Sequence, residues 1–459
     1  MRKPIKLLAF ILGFLLCILI ASAFAASYIF DSKFNDALRL VNERQSYAKI
    51  IYKPVSSSLL SKKGKVSITI PDSPVGELRA SFLVDINFSV SSFTVKFHKE
   101  NYDGNIDELL SSIGLPVIDM SGEVNFYPWQ LKGDANLRTT GFELNLEDGR
   151  CHIGDTVTTV SGRSLNSIDA LFSFSGINCR GRDIYSGREA YNLVFQNLKT
   201  KAKPKFNLST KKISLDSFAI TFDELSADAS TLYLIGFKPD DNVKDKTLRD
   251  SFSVKNFNVE VAFANKDVGY QKISSNGSMD AYFAFPRIRE GETVPFYDLS
   301  KLSYVSSIDS INLMNLLKTI KNSSDPMQSV ILNLSKPVKL NLENFSFMHN
   351  GKETKFQGES SLSFNSKDKK PENIYLKLFA KSPVDFVDEW VDSQYKVGLE
   401  DYLRTGAISS DSGYYSTVLE LNGNRITLNG VDINSDLNKP DDEDVKSVKK
   451  DLTINLDDL

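Results

Sequence analysis

The chain is poor in the residues that carry most enzyme chemistry. Its 459 residues include only three His, three Cys, two Trp and six Met. His98, His152 and His349 lie far apart, no two at a metal-ligand spacing, and no His-x-x-x-His or Cys-x-x-Cys occurs, which argues against a zinc site or a dithiol redox motif. A Gly-x-Ser-x-Gly elbow, a Gly-x-x-x-x-Gly-Lys phosphate loop and a dinucleotide fingerprint are also missing. These absences lead to the expectation of a protein that is not an enzyme and carries no cofactor. Charge of one sign is lacking too. Lys plus Arg total 55 against 58 for Asp plus Glu, a net charge of -3, so there is no electrostatic footprint for nucleic acid.

What is present is ordinary in bulk and uneven in kind. Hydrophobic residues at 41% and charged residues at 25% exclude both a polytopic membrane protein and a disordered chain. Thirty Phe and seventeen Tyr lean toward strand, where aromatic side chains pack well on a pleated surface. The long uncharged run Leu7 to Phe30 follows Arg2, Lys3 and Lys6. It is long enough to span a bilayer, and the flanking charge places the N-terminus in the cytoplasm with the rest of the chain exported. Two readings of the run stand side by side: a cleaved signal peptide, with Ala23-Phe24-Ala25 before Ala26, and an uncleaved signal anchor, favoured by the length of the run. Asp31 then caps a stalk helix with Phe34, Leu38 and Val41 on one side.

From Lys65 onward the dominant period is two. Val66, Ile68 and Ile70 alternate with Lys65, Ser67 and Thr69; Phe82, Val84, Ile86 and Phe88 alternate with Leu83, Asp85, Asn87 and Ser89; Phe93, Val95 and Phe97 alternate with Thr94, Lys96 and His98, and many later runs do the same. The spacing predicts half-buried strands, joined by turns such as His349-Asn350-Gly351 and Leu421-Asn422-Gly423-Asn424. Helical spacing is confined to Ile106–Ile113, Ile308–Ile320 and Val384–Leu403. The fold class expected is therefore mainly β: an N-terminal transmembrane helix, then a large, elongated antiparallel β-sheet assembly with a few short helices. The expected divisions are 1–30 anchor, 31–64 stalk, 65–200 β-rich, 201–325 β-rich ending in a helix, 326–437 β-rich with one helix, and 438–459 acidic tail. Polar stretches Lys199–Lys212, Lys238–Arg249 and Ser323–Gln328 are the expected seams.

Few residues qualify as candidate sites. Cys151 and Cys179 are the two cysteines of the exported part, each near a strand end, and an oxidising compartment makes a disulfide between them chemically sensible. Phe82, Phe88, Phe93 and Phe97 fall at strand spacing and would line an open apolar groove or close a dry core. Asp385, Asp388, Glu389 and Asp392 share a helix face and suit a solvated surface better than a carboxylate pair for glycan chemistry. Ser209 and Lys212 match Ser-x-x-Lys, a pattern common by chance.

The two ends of the chain carry a resemblance. Tyr52-Lys53-Pro54-Val55-Ser56-Ser57-Ser58 leads into the first strand pattern, and a C-terminal helix is followed by Gly413-Tyr414-Tyr415-Ser416-Thr417-Val418-Leu419 and Gly423-Asn424-Arg425-Ile426-Thr427-Leu428-Asn429-Gly430. Together with the anchor, these segments resemble the YdgA-like family of bacterial proteins anchored in the inner membrane. Lys53-Pro54 stands where that family tends to carry Arg-Gly. The resemblance implies a single-pass protein with the bulk of the chain in the periplasm, and self-association as a homodimer. It brings no catalytic residues. The expectation is a non-enzymatic, membrane-tethered envelope protein serving envelope assembly or lipid handling through an apolar sheet face. The alternatives are an exported binding or adhesion module for a protein partner, and a glycan hydrolase.

Overall fold

Alternation of apolar and polar residues sets the architecture. In the computed structural model the described residues are 28, 36, 38, 39, 42, 43, 48–58, 60–73, 76–89, 92–100, 105–112, 116–127, 130, 132–146, 149–164, 167–182, 189–207, 212–228, 251–267, 270–284, 287–289, 292–294, 297–311, 337–364, 371–390 and 393–433. They are mainly β, every ladder is antiparallel, and the helices are few and short. No helix among them is long and apolar enough to cross a membrane. The run Leu7–Phe30 lies outside the described residues apart from Tyr28, as does the tail from Asn438. The chain divides into two units, Met1–Leu215 and Asp216–Leu459.

The first unit holds β1 (Lys49–Ser57), β2 (Ser61–Ser73), β3 (Gly76–Phe88), β4 (Phe93–Lys99), α1 (Ile106–Ser112), β5 (Met120–Tyr127), β6 (Lys132–Thr139), β7 (Phe142–Leu146), β8 (Gly149–Ile153), β9 (Thr156–Ser164), β10 (Ser167–Arg182) and β11 (Glu189–Asn207). Neighbours pair in the order β1, β2, β3, β4, β5, β6, β9, β10, β11. The β7–β8 hairpin continues the ladder, with β8 on the far half of β10. Register puts the apolar residues of each strand opposite one another: Val66 faces Phe82, Val84 faces Phe97, and Ile86 faces Val95, which faces Val124. The other face carries Lys65, Asp85, Lys96, Glu123 and Asp134. Lys199, Lys201, Lys203 and Lys205 are exposed while Leu198, Thr200, Ala202 and Pro204 between them are half-buried. Of the stretch Lys199–Lys212 expected as a seam, residues 199–207 are therefore strand and 208–211 lie outside the described residues; lysines at every second position mark a wet face and not a linker.

The second unit holds most of β12 (Lys212–Asp228), then β13 (Ser251–Asp267), β14 (Tyr270–Ala284), the separate hairpin β15 (Arg287–Arg289) and β16 (Glu292–Val294), β17 (Tyr297–Ile311), β18 (Val338–His349), β19 (Lys352–Phe364), β20 (Pro371–Pro383), α2 (Val384–Trp390), α3 (Ser393–Arg404), β21 (Ser409–Asp411), β22 (Tyr414–Asn422), β23 (Arg425–Leu428) and β24 (Val431–Asp432). The ladder runs β12, β13, β14, β17, β18, β19, β20, β22. Beyond β22 lie β21 on one half and β23 with β24 on the other. Asn350-Gly351, Ser412-Gly413 and Asn429-Gly430 all have positive φ, the backbone that two-residue hairpins require. Ile308 to Ile311, expected to open a helix, instead end β17, with Ile308 opposite Ile273 and Gln271 opposite Ile311 across a bulge. The bulge brings apolar residues to a spacing of three, which imitates a helix in sequence.

A transverse crease crosses the strands of the first unit. Gly141, Gly154 and Gly176 sit at the breaks in three neighbouring strands, and Asn197 with φ 55° closes the row in β11. Asp155 holds the crease: its carboxylate accepts the Gly141 N–H at 2.8 Å and Arg138 at 2.6 Å, and its carbonyl accepts the Ser175 N–H at 2.9 Å. Across this row the apolar phase shifts by one residue. Phe174 faces Leu198 below it and Ile177 faces Phe195 above it, yet the Phe174 and Phe195 rings lie 6.2 Å apart. The second unit uses the same device. Asp280 accepts the Asn256 amide at 2.9 Å and the Lys301 N–H at 2.8 Å, where Asn256 and Lys301 have φ of 54° and 51°. A one-residue slip would otherwise send every later side chain to the opposite face.

Both crease carboxyls are held below the usual value of 3.8. The Gly141 N–H and then Arg138 do this for Asp155, and the Asn256 amide and then the Lys301 N–H do it for Asp280. A carboxyl lowered in the folded state takes up a proton on unfolding in acid, so its stabilisation is present above the unfolded pKa of about 4 and is lost as pH falls through the native value. The urea midpoint is therefore expected to fall between about pH 5 and about pH 3, and to fall less in the double variant Asp155→Asn, Asp280→Asn. An equal fall in both proteins would remove the crease from the acid response.

Candidate functional site

The feature with functional content is the apolar face of each unit. In the first unit Ile86 is fully buried and Val84, Phe88 and Phe82 nearly so, with Tyr52, Val66, Phe93, Val95 and Phe97 packed around them. The four phenylalanines singled out from sequence share this face. Phe88 lies opposite Phe93, and Phe82 meets Phe97 edge-on at 6.3 Å. At this end they pack as a core, since Phe82 and Phe88 are buried. Along the rest of the face Phe126, Leu137, Val160, Ile168, Phe172 and Phe174 remain only half-buried. A closed two-layer core buries such side chains almost completely.

The second unit repeats the arrangement. Phe222 stacks on Phe257 at 4.5 Å, and Val259, Tyr304, Phe345, Phe356 and Leu378 extend the same face while staying half-buried. One end is closed by α2, whose Phe386 lies edge-on to Phe347 at 5.3 Å and to the buried His349 at 5.1 Å. At the opposite end Leu340 is 41% exposed. The face therefore runs from a shut end to an open one.

In the first unit a helix also closes one end of the face. Lys99 follows Phe97 on the apolar side, opposite Phe82, and is buried. Asp107 of α1, equally buried, accepts its ammonium, and the Ile118 carbonyl adds a second acceptor at 3.1 Å. Charge on an apolar face is tolerable only when paired and hydrogen-bonded. Lys62, buried on the same face, lies with its Nζ 5.8 Å from the Phe88 ring centroid.

The remaining sequence candidates are placed separately. Cys151 and Cys179, directly opposite in β8 and β10, are joined as a disulfide. The bond ties neighbouring strands of the ladder, not the two arms of one hairpin. Of the acidic cluster, Asp385 and Asp388 are exposed, and Asp385 is held below the usual carboxyl range first by Lys352. Nothing is described for the side chain of Glu389 or for Asp392. His98 and His152 are exposed, the latter 2.7 Å from Glu143, and Ser209 lies outside the described residues. Among the described residues no three His, Cys, Asp or Glu side chains group to hold a metal ion.

The edge of β1 bears on strand addition as a mode of partner binding. Asn42 donates to the Ile50 carbonyl and accepts the Ile50 N–H, both at 2.8 Å. Farther along, Pro54 has no N–H to offer, and a bulge separates it from Ser56. Both are devices that blunt an exposed edge. In the C-terminal segment Gly423-Asn424-Arg425-Ile426-Thr427-Leu428-Asn429-Gly430, Asn429 accepts the Val418 N–H at 2.8 Å through its side chain and donates its own N–H to the Val418 carbonyl at 2.9 Å. That motif residue thus has a turn-forming role. No family model matches the chain, and no curated protein or solved structure matches it.

Proposed function

We propose that this chain is a non-enzymatic, membrane-tethered envelope protein that handles lipid by holding acyl chains against the apolar faces of its sheets. The observation that carries the reading is the half-open apolar face itself, continuous over neighbouring strands in each unit and kept in phase by the creases. Half-exposed Phe, Leu, Ile and Val at this density gain by covering, since each square ångström of apolar surface removed from water is worth about 25 cal/mol. An acyl chain is the occupant that needs no polar partners along such a face. The uncharged run Leu7–Phe30 after Arg2, Lys3 and Lys6 supports a bilayer tether. The Cys151–Cys179 disulfide supports an oxidising compartment such as the periplasm. The likeness of both ends to the YdgA-like proteins agrees with an inner-membrane location.

The test is native mass spectrometry of the full chain, purified from membranes in gentle detergent, followed by lipid extraction. Phospholipid that co-purifies and leaves only on unfolding is the expected result. A lipid-free protein would overturn the reading and send the search to protein partners. The same spectrum reads whether the chain is a homodimer.

A further inference from the structure

The polar face of the first unit changes character along a single register row. From β2 to β5 the row reads Lys63, Asp85, Lys96 and Glu123, each opposite the next. Lys63 comes within 3.8 Å of Asp85, and Lys96 within 3.6 Å of Glu123, so charge there is neutralised inside the sheet. The same row continues through Asn136, Thr159 and Leu171 to Lys201 on β11. Three uncharged side chains separate that lysine from the alternating charges. In the neighbouring row Lys199 lies beside Ser173, and Ser173 beside Val157.

Lys199, Lys201, Lys203 and Lys205 are exposed on this face at every second position of β11. They stand about 6.7 Å apart and cover about 20 Å of strand. Of the carboxylates on this side of β10 and next to β9, Asp155 is taken up by Arg138, and Asp169 faces Ser161. Four lysines against Asp169 leave the stripe positive, with Leu171 and Val157 as apolar neighbours. Cations of one sign beside uncharged strands suit an extended anionic surface, whose phosphates meet the ammonium groups while no buried carboxylate opposes them. Resting on the reading of Leu7–Phe30 as a bilayer tether, we propose that the lysine stripe of β11 docks the first unit on anionic phospholipid headgroups of the membrane that carries the tether. Eighteen residues separate Phe30 from Lys49, so β1 starts no more than about 65 Å from that bilayer. Leu198, Thr200 and Ala202 alternate with the lysines and lie on the other side of the strand, so docking leaves the apolar face uncovered.

The experiment reconstitutes the full chain into vesicles of phosphatidylcholine alone and of phosphatidylcholine mixed equally with phosphatidylglycerol. Acetylation by an amine reagent added outside is then timed by peptide mass spectrometry. At Lys199, Lys201, Lys203 and Lys205 it is expected to slow about fivefold in the anionic vesicles, the factor such a surface supplies per lysine. Lys63, seven strand spacings or about 34 Å across the sheet, is expected to keep its rate. In about 1 M salt, where the screening length falls to about 3 Å, the difference is expected to vanish. Equal rates in the two vesicles, slowing that extends to Lys63, or slowing that survives salt overturns the stripe as a docking surface. Flotation tests the tether apart from it. A chain that floats with phosphatidylcholine alone has its tether whatever the lysines show; one that floats only with the anionic vesicles keeps the stripe and loses the tether; one that floats with neither loses both.

Discussion

Asp107→Leu is expected to destabilise the first unit by about 3–5 kcal/mol, while the double variant Lys99→Met, Asp107→Leu stays within about 1 kcal/mol of the parent or exceeds it. Both side chains are more than nine-tenths buried, at the end of the apolar face where α1 meets the sheet. Removing the carboxylate leaves the Lys99 ammonium with the Ile118 carbonyl as its remaining described acceptor, which offers hydrogen bonding but no countercharge. Removing both charges and filling the space with methylenes eliminates the desolvation cost together with the attraction that offset it. Urea unfolding at neutral pH reads the difference. If the single variant unfolds at the parental midpoint, the pair is solvated and the view of α1 as a closure of the apolar face fails.

Gly176→Val is expected to cost at least about 3 kcal/mol, through strain at a backbone only glycine adopts readily and through overlap with a neighbouring strand. Gly176 has φ +135°, and a Cβ built there would stand 2.0 Å from the Phe195 carbonyl oxygen. That oxygen belongs to the β11 backbone, so it cannot swing aside as a side chain would. Gly351→Ala is the control. It too has positive φ, +75°, but open space around its Cβ, so only the left-handed penalty of about 1 kcal/mol applies. Equal losses at the two positions would show that the crease is not a close approach of strands. Because the crease keeps the apolar phase, Gly176→Val should also lower any lipid retained by the first unit.

The residues say plainly which parts of this protein are strand and which side of each strand is dry. Phe82, Val84, Ile86 and Phe88 recur at every second position, with Asp85 and Asn87 between the last three, and a strand is the structure that satisfies that period. Turns were legible where Asn-Gly stands between two such runs, as at Asn350-Gly351, because positive φ is a local property. The α1 segment from Ile106 and the start of α2 at Val384 were legible for the same reason. Lys199 to Lys205 misled, since lysine density imitates a linker unless the half-buried residues between are weighed. Ile308 misled because a bulge changes the period, and a bulge depends on the partner strand.

The candidate site was legible only as a list. Phe82, Phe88, Phe93 and Phe97 could be named from alternation, but whether they face a core or a groove depends on what covers them, and covering is decided between strands far apart in sequence. Glycines at 141, 154 and 176 look unrelated along the chain. Only pairing brings them into one row, and only Asp155 and Asn197 in that row turn three weak positions into a crease. On the polar face of the second unit, Lys272, Asp309, Lys339, Glu359 and Tyr375 line one cavity that no motif announces, because its members come from five strands and share nothing but register. Sequence alone determined the β character, the dry face of each strand and the uncharged N-terminal run, all set by local period and composition. Tertiary structure alone decided the phase shifts, the closed and open ends of each face and the grouping of charges, because register is a relation between strands that no single segment contains.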